Sequence, residues 1–198
     1  MGLFDKKYCG VCGAKIGLLG NRKLEDANLC KDCAAKLSPW MTDRRRTTLA
    51  EINDHLAYRE ANKAEVAKFN VSKTLGEKWK VLIDETTNKF IVTSSPKWAY
   101  ENPDVIDINQ VTGVDTEVKE SKTEIRMKDA EGNMISFSPP RYDIEFDFYV
   151  KIYLKSPWFG EISFKLNDNR IEAQNPARYM EYDRKLNEIK DALMPKAS

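Results

Sequence analysis

Imidazole and thiol chemistry are scarce in this chain. His55 is its only histidine, and its four cysteines all fall within residues 9–33. The common pairings of a nucleophile with a histidine base are therefore absent. Phosphate-cradling glycine motifs and the G-x-S-x-G turn of serine hydrolases are missing as well. No run of about 18 apolar residues occurs, which excludes a transmembrane helix. Met1-Gly2-Leu3-Phe4-Asp5-Lys6-Lys7 lacks the apolar stretch of a secretory signal. Gly2 does not make a myristoylation site either, because Lys6 stands where that motif wants Ser or Thr. Excess charge is also lacking: 32 Lys and Arg against 31 Asp and Glu leave a formal net charge of +1, so nothing global demands a nucleic acid or an anionic membrane. These absences lead us to expect a cytoplasmic, non-enzymatic protein with reduced cysteines, which in that compartment read as metal ligands before they read as disulfides.

The composition is that of a soluble globular chain, 41% hydrophobic and 32% charged over 198 residues, long enough to bury a core without disulfides. The cysteines stand as Cys9-Gly-Val-Cys12 and Cys30-Lys-Asp-Cys33. Two C-x2-C pairs at this separation have the spacing of a four-thiolate zinc site. Zn²⁺ takes four ligands in a tetrahedron, and four cysteines leave no open position, so the expected ion is structural. Gly10 and Gly13 give the tight turns such knuckles need. Between the pairs, Ile16 to Leu19 and Lys23-Leu24 flank the turn dipeptide Gly20-Asn21 and predict one hairpin. A short helix follows Cys30 and stops at Pro39. Knuckle, hairpin, knuckle and helix is the order of a treble clef, a module of about 40 residues that needs its metal to fold.

Thr48-Leu-Ala-Glu51 is a capping box. It opens a helix expected to run to about Lys68, with Leu49, Ile52, Leu56, Val66 and Phe69 on a narrow apolar stripe that leans on one partner surface. His55 is expected on its exposed side. Arg44-Arg45-Arg46 precede it and read as a solvated turn, or as phosphate contacts beside the zinc module.

From residue 75 the period changes to two. Trp79 to Ile83, Phe90 to Val92, Val111 to Val118, Thr123 to Lys128, Met134 to Phe137, Ile144 to Leu154 and Glu161 to Leu166 read as successive antiparallel strands, with Glu120-Ser-Lys122 as one of the turns. Such a run predicts a curled sheet or barrel. Glu145 and Asp147 share one strand face and read as solvated. A helix capped by Asn175 and begun by Pro176 closes the chain, with Pro195 as its end. The fold class is thus α+β, with a zinc module over 1–40, a helical linker over 41–72 and a barrel with its helix over 73–198.

Trp79-Lys-Val-Leu-Ile-Asp-Glu with Asn88-Lys-Phe-Ile-Val, and Asp107-Ile-Asn-Gln-Val-Thr-Gly-Val114, resemble the strands of pleckstrin-homology-like (PH-like) domains of the bacterial and GRAM type. With Tyr8-Cys-Gly-Val-Cys-Gly, Leu29-Cys-Lys-Asp-Cys33, Tyr58-Arg-Glu-Ala-Asn62 and Phe69-Asn, the whole resembles uncharacterised bacterial and phage proteins. Those pair a four-cysteine treble clef with such a domain. The resemblance implies a fold and a Zn²⁺ site held by Cys9, Cys12, Cys30 and Cys33, and no activity. The functional expectation is an adaptor that binds a protein partner, or else a lipid head group, through the PH-like domain, with Trp98, Tyr100 and Trp158 near loops where exposed aromatics would mark the site, or else plugging the barrel mouth. The alternative is nucleic-acid binding through Arg22, Lys23, Arg44, Arg45 and Arg46.

Overall fold

The computed structural model describes residues 6–194. The expected leader-free start at Met1 to Asp5 and the helix stop at Pro195 lie outside them.

The N-terminal region holds two small ladders rather than the single hairpin expected around Gly20-Asn21. Strand β1 (Lys7–Tyr8) pairs with β2 (Lys15–Ile16), and β3 (Arg22–Lys23) pairs with β4 (Asn28–Leu29). The first knuckle turns the chain between β1 and β2, a separate turn closed by the Leu24 N–H on the Ala27 carbonyl joins β3 to β4, and the Gly10 N–H donates to the Asn28 carbonyl at 2.8 Å to tie the two ladders together. The residues between the ladders form a loop whose tip bears Leu18 and Leu19. Helix α1 (Lys31–Ala34) follows, with Cys30 as its N-cap. Leu24, Leu29 and Ile52 are fully buried in the local core.

Helix α2 (Leu49–Lys68) begins at the capping box: Thr48 accepts from the Glu51 N–H, and the Glu51 carboxylate accepts from the Thr48 N–H. Its buried residues are Ile52, His55, Arg59, Asn62 and Val66, one stripe at spacings of three and four. The stripe is polar in its middle, so α2 contacts two bodies. Ile52, with Leu49 and Leu56, packs into the cysteine region, while Arg59 and Asn62 meet Asp104 and Pro103 in a loop of the C-terminal region.

The C-terminal region contains two antiparallel sheets, and these do not close into the expected barrel. One is β5 (Lys73–Gly76), β6 (Lys80–Asp84), β7 (Lys89–Thr93) and β8 (Ile106–Asp107), in that order. A short helix, α3 (Trp98–Glu101), separates β7 from β8. The other sheet has β10 (Met134–Leu154) between β11 (Glu161–Lys165) and β12 (Ile171–Glu172) on one side and β9 (Val111–Lys128) on the other. The expected turn at Glu120-Ser-Lys122 is absent, and β9 runs straight through it. That tripeptide has neither Gly, Pro nor Asn to reverse the chain. Likewise the two strands expected over 134–154 are one, with a register shift between Ser136 and Arg141 that absorbs Pro139 and Pro140.

The sheets share a core that includes the fully buried Phe90, Phe148, Ile152, Ile162 and Leu166. Helix α4 (Pro176–Leu193) covers it with Tyr182, Leu186, Ile189 and Leu193. As the sequence predicts, Asn175 caps it by accepting from the Arg178 N–H. Gly76 has φ +87°, and a Cβ there would lie 2.3 Å from the Trp79 carbonyl oxygen, so the turn into β6 requires glycine.

Glu77, beside that turn, is bonded by the Tyr182 hydroxyl at 2.6 Å and Lys185 Nζ at 2.9 Å. These two partners hold its carboxyl down to about 2, from an ordinary 4.5. A carboxyl depressed by folding adds stability above its unfolded value and loses it as the pH falls through the folded one. Glu77→Gln should therefore lower stability near neutrality, with the gap to wild type closing between about pH 4.5 and about 2. Urea unfolding at a series of pH values checks this.

Among the described residues no helix is long and apolar enough to cross a membrane.

Candidate metal centre

The first knuckle is shaped by backbone bonds: the Cys9 N–H donates to the Ala14 carbonyl at 2.9 Å and the Gly13 N–H to the Cys9 carbonyl at 2.8 Å. The second presents Cys30 Sγ to the Cys33 N–H at 3.4 Å. Together they bring the sulfurs of Cys9, Cys12, Cys30 and Cys33 within 4.8 Å of one another, a cluster that could hold a metal ion. Cys12 Sγ and Cys30 Sγ are 3.8 Å apart. A tetrahedral ion with sulfurs at about 2.3 Å sets them about 3.8 Å apart, so the spacing fits. Cys9 and Cys33 are buried and Cys12 is exposed.

The electrostatics of the sulfurs point the same way. Burial opposes ionisation of Cys9, but the backbone N–H groups of Cys12, Cys30 and Val11 outweigh it and bring the thiol down to about 6. Burial, and then the neighbouring sulfurs, push Cys33 up. The backbone thus favours one thiolate, while four anions cannot share this space without a cation. A divalent ion would relieve the repulsion.

A polar junction that the sequence does not announce ties the segment after α1 to α2 and to the loop leading into β8. The Asp104 side chain is 1% exposed and the Arg59 side chain 9%, and they pair at 2.8 Å. Asp104 also accepts from the Ser38 hydroxyl at 2.7 Å and the Tyr58 hydroxyl at 3.3 Å. Arg59 donates onward to the Asn102 carbonyl at 2.5 Å and the Lys36 carbonyl at 3.3 Å. The Asn62 amide donates to the Pro103 carbonyl at 2.7 Å and accepts from the Val105 N–H at 3.0 Å. Ser38 follows α1, Arg59 and Asn62 lie on α2, and Asp104 leads into β8, so the network joins the cysteine region, the helix and a sheet.

His55 belongs to this junction, correcting its expected place at the surface. It is fully buried, and its Nε2 accepts from the Ser38 N–H at 3.0 Å. The ring is thus neutral with its proton on Nδ1. Burial chiefly lowers its pKa; Asp104 opposes this and Arg59 adds to it. Trp158 packs edge-on against His55 at 5.1 Å and stacks on Tyr58 at 5.7 Å, so its ring helps fill the junction. Trp98 leans on Phe69. Tyr100 alone of the three aromatics stands free, 90% exposed.

The basic residues divide. Arg22 and Arg45 lie close enough to Arg44 to depress its pKa, burial being the larger cause. Arg46 instead pairs with Asp43 at 3.5 Å, and Lys23 is exposed. Leu18 and Leu19, at 98% and 91% exposed, are legible as apolar residues beside a turn, but the sequence gives no sign that they stand clear of the core.

Glu145 and Asp147 are ion-paired with Arg170, and Asp147 also with Lys165 at 2.8 Å. A cleft of about 560 Å³ near the start of α4 is lined by Lys78, Arg170 and Arg178, and each of these cations already has a carboxylate partner.

Residues 7–55 match a family described as a domain of unknown function (DUF4428). No curated protein matches the chain, and no solved structure does.

Proposed function

We propose that this chain is a non-enzymatic zinc-binding adaptor. Cys9, Cys12, Cys30 and Cys33 hold one structural Zn²⁺ in a treble-clef module, and the sheets with α4 form a PH-like domain that docks a protein partner. Two sheets covered by a terminal helix are in keeping with the PH-like resemblance. The observation that carries the adaptor reading is the buried junction around Asp104. It fixes two modules of the binding type in one orientation and so gives a partner a single composite surface. A protein is favoured over a lipid head group because the cations of the polar cleft are already neutralised. Zinc would supply charge neutralisation and a four-way cross-link. The chain's own part is to bend two knuckles and donate backbone N–H groups to the sulfurs.

Elemental analysis of purified protein should return one zinc per chain. Full-length protein immobilised on beads should retain a specific protein from lysate, and the Tyr100→Ala or Leu18→Ser/Leu19→Ser variant should lose it. If neither a protein nor anionic vesicles bind, the adaptor reading fails while the metal reading stands.

A second reading is nucleic-acid binding. Arg22, Arg44 and Arg45 support it, since they cluster and form no ion pair among the described residues. Three phosphate contacts give a salt slope of about −3 on a logarithmic scale. A gel shift at low salt that finds no complex removes this reading.

A further inference from the structure

Strand β9 leaves one edge open. Among the described residues its only ladder is with β10. Strands β11 and β12 reach β10 only at Tyr149 to Tyr153 and at Glu145 and Phe146. From Lys122 and Ile144 outward, β9 and β10 therefore run as a two-stranded ribbon. An open edge presents unpaired N–H and C=O groups to any strand that can meet them.

Proteins commonly protect such edges with charges that repel a second copy. The charges here are arranged differently. Glu120, Lys122, Glu124 and Arg126 alternate in sign and, being two residues apart, project from the same face. Within the strand they are already neighbours, Lys122 to Glu120 at 2.8 Å and Arg126 to Glu124 at 3.1 Å.

We propose that this edge pairs with the same edge of a second copy, antiparallel, about a two-fold axis through Thr123. In that register Glu120 faces Arg126 of the second copy, and Lys122 faces its Glu124. Symmetry repeats both pairs, so all eight charges meet an opposite charge. Residues opposite one another in an antiparallel pair share a face, so the axis must pass through a residue, and the neighbouring choices are worse. An axis through Lys122 sets that lysine against itself and Glu120 against Glu124. An axis through Glu124 sets that glutamate against itself and Lys122 against Arg126. Shifting to Ser121 or Ile125 keeps only one pairing of opposite charges among the four. The charge order thus selects one register out of five. On the opposite face the same register sets Ser121 against Ile125 and Lys119 against Met127, covering a methionine that is 41% exposed in the single chain.

The complex is of the weak, salt-screened class, since it rests on one ladder and surface charges. Sedimentation equilibrium at low salt, up to about 1 mM chain, should show the wild-type mass rising toward that of two copies and falling back at high salt. Glu124→Lys sets two lysines opposite each other, and Lys122→Glu two glutamates, so each variant alone should remain a monomer. An equimolar mixture of the two should dimerise, because the lysine introduced in one variant then faces the glutamate introduced in the other. The double variant, which restores opposite charges across the pair, should self-associate like wild type. Lys122 is exposed and Glu124 half-buried, and circular dichroism confirms that the variants are folded. A wild type that stays monomeric over this range overturns the proposal. So does a Glu124→Lys chain that dimerises as wild type does, or a mixture that stays monomeric.

Discussion

Replacing Cys33 with serine should abolish stoichiometric metal and unfold the region built on the two knuckles. Cys33 is buried on α1, and its sulfur is one of the four gathered within 4.8 Å. The core around it is small, eight buried side chains of which three are cysteines, and a module of that size does not supply its own stability. Zinc contributes about 10–16 kcal/mol in peptides of this kind, far more than any single contact here. Loss of one ligand should forfeit most of it. The readout is amide exchange at Leu24 and Leu29, both fully buried: protection should vanish in the variant and in chelator-treated wild type, and return when zinc is restored to wild type alone. If the Cys33→Ser chain keeps these amides protected and carries no metal, the fold does not depend on a metal site.

Asp104→Ala should cost about 3–5 kcal/mol, because it strands the Arg59 guanidinium in a buried site. Asp104 is the one residue that Ser38, Tyr58 and Arg59 all address. Removing it leaves a charge and two hydroxyls without their acceptor at once. Asp104→Asn keeps the shape and some bonding but not the charge, and should cost less, about 1.5–3 kcal/mol. A double variant, Asp104→Leu with Arg59→Leu, should be more stable than the sum of its single changes predicts, since neither partner is then left bare. Urea unfolding midpoints measure all of these. If Asp104→Ala unfolds with the wild-type midpoint, the junction is not a stability determinant.

The parts legible in the sequence are those whose chemistry is local. Cysteine spacing places four sulfurs together because a C-x2-C turn is short and stiff. The capping box fixes the start of α2 to the residue, and Asn175-Pro176 does the same for α4. Alternation finds β6, β7, β11 and the buried half of β10. The remainder depends on partners distant in sequence. Arg59 and Asn62 continue the stripe of Ile52 and His55 at helical spacing, but they look like solvent residues until Asp104, 45 positions from Arg59, is known to lie opposite. The same holds for His55, whose acceptor role needs Ser38. Charge is a poor sign of a strand's end: Glu120-Ser-Lys122 is polar without being able to reverse the chain. The expected barrel is missing for a related reason, because alternation reports which residues face inward but not which strands meet at the edges.

Helix α2 carries a consequence for how this chain can be divided. Its first half seals the core of the cysteine region, and Arg59 and Asn62 farther along it bind the loop that leads into β8. Scission after Arg59 would leave a naked guanidinium on one fragment and an orphaned carboxylate on the other, and scission before it would still part Ser38 from Asp104. The stretch that looks most like a tether is therefore the worst place to separate the halves. Natural trimming, and laboratory truncation alike, should be tolerated far better at the outlying Asp129–Asn133 bend of the ribbon.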